Sequence, residues 1–214
     1  MKNLFLIFVL SFTMSCNGNS SASQADQQLS DRNYSTLDTA TFAGGCFWCI
    51  EASFEQIMGV KEAVSGYAGG DPSTAKYDLV SSGRTEHTET VQIYFDPEVI
   101  DYSTLLDIFF TAHDPTQLNR QGPDVGTQYR SAIFYHNEQQ KEQAEKKMAQ
   151  LQSRYSGKIV TQLNPYVAFY EAEAYHQNYE KNHPFNPYIM NVSRPKIEKV
   201  KKQFSDRLKK EARD

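Results

Sequence analysis

Along residues 38 to 136 the apolar positions switch twice between a period of about two and a helical period. Residues 38–44 (DTATFAG) are short, apolar and rich in Thr, and they end at Gly44 and Gly45, which predicts a strand. Trp48, Ala52, Phe54 and Ile57 then recur at helical spacing and predict a helix over 47–58. A strand is expected over 60–67, followed by a loop of Gly, Ser and Asp up to His87, then a clear strand over TETVQIYF, where Val91, Ile93 and Phe95 alternate. Leu105, Leu106, Phe109 and Phe110 share one face of a helix over 101–113 that starts near Tyr102 or Ser103, and QYRSAIFYH gives the next strand. The order strand, helix, strand, strand, helix, strand is that of a ferredoxin-like plait. The expected fold class is therefore α+β, a two-layer plait with helices on a mixed sheet and extra C-terminal segments. Those extras are a charged helix over 138–154, two short strands within 159–169 and a tail rich in Tyr, Pro and Asn.

The first 37 residues follow a different pattern. Lys2, an apolar run from Leu4 to Leu10 and small or polar residues leading to Cys16 predict an export signal over 1–15, too short to span a bilayer. Ser15-Cys16 resembles a bacterial lipobox, with Thr13 where such signals usually carry leucine, so Cys16 is expected as a lipid-bearing mature N-terminus, with plain secretion as the alternative. Residues 16–37 hold almost no large apolar side chain and are expected to be a flexible tether. The remainder, 38–214, is the length of one ordinary domain with a real core.

Charge narrows the partners. With 22 basic and 26 acidic residues the net charge is -4. The one basic cluster, Lys196 to Lys210, alternates with Glu198, Asp206 and apolar residues like the solvated face of a helix, so no nucleic-acid partner is expected, and no membrane contact beyond a lipid on Cys16.

Chemistry concentrates in AGGCFWCIE, residues 43 to 51, which holds two of the three cysteines and the single tryptophan. A cysteine at a helix start, after two glycines, meets unpaired amides and the positive end of the helix dipole, which favour thiolate. Cys46 is thus a candidate nucleophile. Positions i and i+3 of a helix lie roughly 5 Å apart, within reach of a disulfide, so Cys49 can pair with Cys46. Zinc ribbons, redox enzymes and static disulfides share this spacing. Zinc would need further ligands, yet no second Cys-x-x-Cys exists and the five histidines lack paired metal spacing; a static disulfide in an exported protein stays open on these residues. Glu86 and Glu89 flank His87 at a strand entrance, where a carboxyl can supply a proton or merely face water. The loop 113–129 carries Asp124, Gln128 and Tyr129 into a strand, and such loops often line sites.

Five stretches in order, GGCFWCIE, GYAGG with Tyr77 ten residues past Tyr67, GRTEHTETVQIYFDP, HDPTQLNRQGPDVGTQYRSAIFY and HQNYEKNHPFNPY, resemble the peptide methionine sulfoxide reductases of the A type, over about residues 41–195. The resemblance implies that Cys46 is the nucleophile and that Phe47 and Trp48 form the aromatic wall for the substrate methyl group. It also implies that Glu89 is the acid, that Tyr77 and Tyr129 donate hydroxyls to the sulfoxide oxygen, and that Asp124 belongs to the pocket's hydrogen-bond network. Many members carry glycine at the position of Cys49 and a resolving cysteine in the tail after Asn-Pro-Tyr. This chain has Ile189 after Tyr188, so recycling is expected to pass through Cys49. The implied activity is reduction of methionine S-sulfoxide, free or in oxidised proteins, with no bound cofactor, an external thioredoxin-like dithiol as reductant and a monomeric enzyme. A thioredoxin-like thiol-disulfide oxidoreductase and a non-catalytic, peptide-binding lipoprotein are the competing readings. If the leader works as read, the protein acts in the bacterial cell envelope, where a dedicated electron supply is needed.

Overall fold

The computed structural model describes residues 36–213; the expected leader, Cys16 and the tether up to residue 35 lie outside the described residues. Strand β1 (Asp38–Gly44) leads through Gly45 and Cys46 into helix α1 (Phe47–Glu55). The helix stops short of the expected residue 58 because the chain turns through Gly59, at φ +88°, into strand β2 (Val60–Ala68); a Cβ at Gly59 would lie 2.6 Å from the Ile100 side chain. The Gly- and Ser-rich stretch that follows contains a short helix α2 (Tyr77–Ser81), too brief to show an apolar period in the sequence. Strand β3 (Thr88–Phe95) and helix α3 (Tyr102–Ala112) come next, α3 being started by Asp101, whose carboxylate accepts from the Thr104 amide at 2.7 Å.

A small hairpin, β4 (Arg120–Gln121) with β5 (Asp124–Val125), stands before strand β6 (Ser131–Tyr135). Helix α4 (Glu138–Gln152) is capped by Asn137. The two short strands expected near the C-terminal side are β7 (Gln162–Pro165) and β8 (Phe169–Glu171), each displaced a few residues from the sequence reading. They are followed by helix α5 (Tyr179–Asn182), a π turn over Ile189–Ser193 and helix α6 (Arg194–Gln203).

The fold is mixed α/β. Six strands form one sheet in the order β7-β6-β1-β3-β2-β8, with β6 and β7 parallel and every other neighbouring pair antiparallel. Register pairs Tyr67 of β2 with Glu89 of β3, and Phe42 of β1 with Val91. Phe42 reaches the helices: its ring stacks on Phe109 at 4.8 Å and lies 5.8 Å from Phe54. Phe54, Ile93, Leu105 and Leu106 complete this core, each large side chain contributing about 1.5–3 kcal/mol by its burial. Ala43, Ala68, Ala132 and Phe134 form a separate, smaller apolar cluster with Tyr166 packed against it. Helix α6 packs against α1 and α3 and buries Ile197 and Val200, which brings the C-terminal segment over the start of α1. Among the described residues no helix is long and apolar enough to cross a membrane.

Candidate active site

The β1-to-α1 turn depends on a glycine. Gly45 has φ +92°, and a Cβ there would sit 2.5 Å from the Gln121 side chain, so the β4 hairpin closes directly on the turn. Cys46 occupies the N-cap of α1 and Cys49 lies in its first turn; both are buried with free thiols. The first helical amide, that of Phe47, donates to Oε2 of Glu89 at 3.0 Å, although 42 residues separate the two in sequence. Glu89 is only 3% exposed, on the strand position that faces Tyr67 across the β2–β3 ladder.

Charge is distributed unevenly over these groups. Burial pushes Glu89 up to about 8, helped by nearby Asp124 and Cys49 and opposed by the Phe47 amide, so the carboxyl keeps its proton at neutral pH. Burial also raises the Cys46 thiol well above its ordinary value, and Cys49 and Glu89 act in the same direction, with a hydrogen bond from Tyr188 opposing them. Cys49 is lowered to about 7: the hydrogen bond with Cys46 acts most strongly against burial, joined by Lys196 and Ser193 and opposed by Asp124. The expectation that the helix start favours thiolate at Cys46 is not what the site's electrostatics give, since burial outweighs it. The first helical amide serves Glu89, and Cys46 makes no side-chain capping hydrogen bond.

Hydroxyl donors surround the carboxyl and thiol. Burial, then the charges of Glu89 and Cys46, raise Tyr77 to about 12 and move Tyr129 up as well, so both stay protonated donors. Asp124, on β5, accepts from the Tyr188 hydroxyl at 2.5 Å, and Tyr188 acts on the Cys46 thiol as well. Glu173 orients two tyrosines at once, accepting from the Tyr67 hydroxyl at 2.8 Å and from the Tyr77 amide at 3.0 Å.

Beside them stands an aromatic wall. The Phe47 and Trp48 rings lie 6.1 Å apart; Trp48 stacks on Tyr179 at 3.8 Å and 9°, meets Tyr188 edge-on at 5.9 Å, and donates its Nε1–H to Nδ1 of His176 at 3.3 Å. Trp48 is half-buried while Phe47 is buried, leaving an apolar surface next to the Cys46 thiol.

Cys46, Cys49, Glu89, Tyr77, Tyr129, Asp124, Phe47 and Trp48 all meet in this one place, drawn from α1, α2, β3, β5 and the turn before β6. Glu86 does not join them: it is exposed, whereas His87 between the two carboxyls is buried and bonds the Asp71 carbonyl through Nε2 at 2.9 Å. Sequence reasoning assigned no role to Glu173, His176, Tyr179, Tyr188, Ser193 or Lys196. Three of these, His176, Tyr179 and Tyr188, lie within HQNYEKNHPFNPY, whose aromatic and polar mixture marked the stretch without saying which side chains turn inward.

A close dithiol, one sulfur of which faces a carboxyl that stays protonated at neutral pH, defines a thiol-dependent oxidoreductase. The chain belongs to the peptide methionine sulfoxide reductase family: the family model of that description matches residues 38–208. It is 49% identical over 171 residues to the peptide methionine sulfoxide reductase MsrA of Haloquadratum walsbyi, covering 80% of this chain and 98% of that one. It is 51% identical over 172 residues to the MsrA of Thermus thermophilus, with the same coverage. The reduced form of Mxr1 from Saccharomyces cerevisiae superposes with a TM-score of 0.66 at 36% identity, covering 71% of this chain and 88% of that one.

Proposed function

We propose that this chain reduces methionine S-sulfoxide, free or in oxidised proteins, to methionine through a sulfenic acid on Cys46, and that the observation carrying this reading is the buried Glu89 carboxyl bonded to the Phe47 amide, next in the chain to Cys46. The substrate methyl group packs on Phe47 and Trp48, an apolar wall suited to the end of a methionine side chain. The Cys46 sulfur attacks the sulfoxide sulfur while Glu89, with Tyr77 and Tyr129, gives the oxygen its proton and hydrogen bonds. Methionine leaves, and the oxygen remains on Cys46 as S–OH, so the substrate sulfur is reduced as the cysteine sulfur is oxidised. Cys49 then displaces that oxygen as water to form the Cys46–Cys49 disulfide, which an external thioredoxin-like dithiol reduces by exchange. Asp124 holds Tyr188 in this network.

The proposal extends to the organisation of the chain. The order β6-β1-β3-β2, all antiparallel, supports reading the centre of the sheet as a ferredoxin-like plait. Residues 1–15 as a leader, a lipid-bearing Cys16, a tether to residue 37 and a catalytic domain over 38–214 place the activity in the cell envelope; the start of the family match at residue 38 supports that division. Fractionation that found the chain in the cytosol with its first 15 residues intact would remove this part of the reading.

Activity is tested by giving the pre-reduced chain excess methionine S-sulfoxide with no added reductant, beside Cys46→Ser and Cys49→Ser. The parent is expected to make methionine and lose both active-site thiols, Cys49→Ser to stop after one turnover with a dimedone-reactive sulfenic acid, and Cys46→Ser to make none. Absence of methionine from the parent, together with reduction of insulin disulfides, would replace the reading by the general disulfide oxidoreductase.

A further inference from the structure

We propose that Ser193 and Lys196 are positioning residues that hold the negative charge of the thiol pair on Cys49, so that the resolving thiol is ready to attack as soon as Cys46 is oxidised. This rests on the reading of Cys49 as the resolving thiol. Both residues come from the C-terminal segment, more than 140 positions away in sequence. The Ser193 Oγ lies 3.1 Å from the Cys49 Sγ, and the Lys196 ammonium donates to the same sulfur at 3.9 Å.

The backbone explains why these two side chains arrive together. A π turn over Ile189–Ser193 shifts the phase of the helix just before α6, and such turns recur where a helix must present a particular side chain. Pro195 follows this turn closely, and its missing amide and ring disturb the regular helical ladder at that point, where the π turn stands. Ser193 is fully buried against Cys49 while Lys196, three residues on, is half-buried with its ammonium turned to the sulfur. Its neighbour Lys199 is exposed and carries no such contact.

The groups facing Cys49 are Cys46 by hydrogen bond, Ser193, Lys196 and, at longer range, Asp124, while Glu89 and Tyr188 in turn feel the Cys49 charge. Lys196 is the cation among them, and its ammonium lies against the Cys49 sulfur, while Glu89 is bonded to the Phe47 amide that follows Cys46. The asymmetry suits a two-step thiol cycle. Cys49 loses its proton, its sulfur bonds to the Cys46 sulfur, the Cys46 S–O bond breaks, and the oxygen leaves as water carrying its own proton and the one Cys49 released. No further oxidant or reductant enters this step.

The test uses the full chain with Cys16→Ser throughout, and two readouts. Thiolate absorbance of the reduced chain is titrated against pH in the parent, Lys196→Met, Lys196→Arg, Ser193→Ala and Lys199→Met. The parent is expected to show a thiolate with a midpoint near 7. Lys196→Met should reduce the thiolate equilibrium about tenfold and Ser193→Ala by less, Lys196→Arg should restore it, and Lys199→Met should leave it in place. Rapid-quench single turnover then separates methionine formation from disulfide formation. In Lys196→Met the second is expected to slow about tenfold more than the first at pH 7, with sulfenic acid accumulating to dimedone, and the gap to close as pH rises. An unmoved titration, or a disulfide rate that falls only in step with methionine formation at every pH, overturns the inference. A moved titration in a chain that makes no methionine would uphold the charge placement and overturn the reductase reading instead.

Discussion

The amide of Phe47 donates to Glu89 across 3.0 Å, so the first free N–H of helix α1 serves the carboxyl of β3 and not the sulfur of Cys46 that precedes it. A neutral carboxyl accepting this bond keeps its second oxygen for a proton that it can deliver. The helix start is thereby turned from activating a thiolate to aiming an acid.

Removing that acid while keeping its shape is the most direct check. Glu89→Gln retains an acceptor for the Phe47 amide but has no transferable carboxyl proton, and single-turnover methionine formation is expected to fall by about 100-fold or more. In the parent, the same rate should decline as pH rises through about 8, where Glu89 deprotonates, while disulfide formation should increase with pH as Cys49 becomes thiolate. The two limbs belong to a coupled site and are to be read as apparent values. Rapid-quench rates between pH 6 and 9 decide this; a first step whose rate is flat across pH 8 would exclude Glu89 as the acid.

Much of this site could be read from the chain because its chemistry lies in local patterns. Cys46, Phe47, Trp48 and Cys49 are consecutive, and Glu89 sits inside an alternating strand that fixes which side it faces. What the pattern did not reveal is contact at long separation. Lys196 belongs to a lysine-rich, amphipathic stretch whose composition matches a solvated face, and only the π turn before it rotates this one ammonium onto Cys49. Glu173 and His176 are likewise single polar residues in a turn-rich tail, and nothing nearby marks their bonds to Tyr67, Tyr77 and Trp48. The same limit applies to β7 and β8, four and three residues long, which are strands only because β6 and β2 offer them edges.

The glycine before the nucleophile carries a stability prediction. Gly45→Ala places a methyl group at φ +92° against Gln121, whose amide bonds both backbone groups of Asp114. The strain of a left-handed residue alone is about 1–3 kcal/mol, which lowers Tm by ~2–4 °C for each kcal/mol in a domain of this size. Thermal unfolding followed by circular dichroism measures it, and a variant as stable as the parent would mean that the turn relaxes freely.

Tyr188 donates its hydroxyl to Asp124 and acts on the Cys46 thiol, two members of the site. Tyr188→Phe leaves the ring to pack edge-on against Trp48 but removes the bond to Asp124 and the hydroxyl's effect on Cys46, so methionine formation is expected to slow about tenfold, as for the loss of ~1–3 kcal/mol of hydrogen bonding to a charged group. Because the ring stays, KM for methionine sulfoxide should change less than the rate. A KM effect larger than the rate effect would assign Tyr188 to substrate packing and not to the thiol.

Glu51 offers a prediction about folding that is separate from catalysis. Its carboxyl is buried, accepts from the Ser65 hydroxyl at 2.7 Å and from the Asn178 amide at 2.6 Å, and so ties α1 to β2 and to the C-terminal segment. Burial pushes it from its ordinary 4.5 up to about 7. The folded state thus binds this proton more tightly than the unfolded chain, and the stability it contributes is full below about 4.5 and is lost as pH rises to about 7. Each pH unit in that window corresponds to at most about 1.4 kcal/mol. Glu51→Gln imitates the protonated form, accepting from Asn178 and donating toward Ser65, and should remove this slope. Measured by urea unfolding in a Glu89→Gln background, which takes away the parallel slope of Glu89, the Gln variant is expected to gain on its parent by a few kcal/mol between pH 5 and pH 8. An equal difference at the two pH values would show that Glu51 is ionised in the folded protein throughout, held by its two donors in spite of burial.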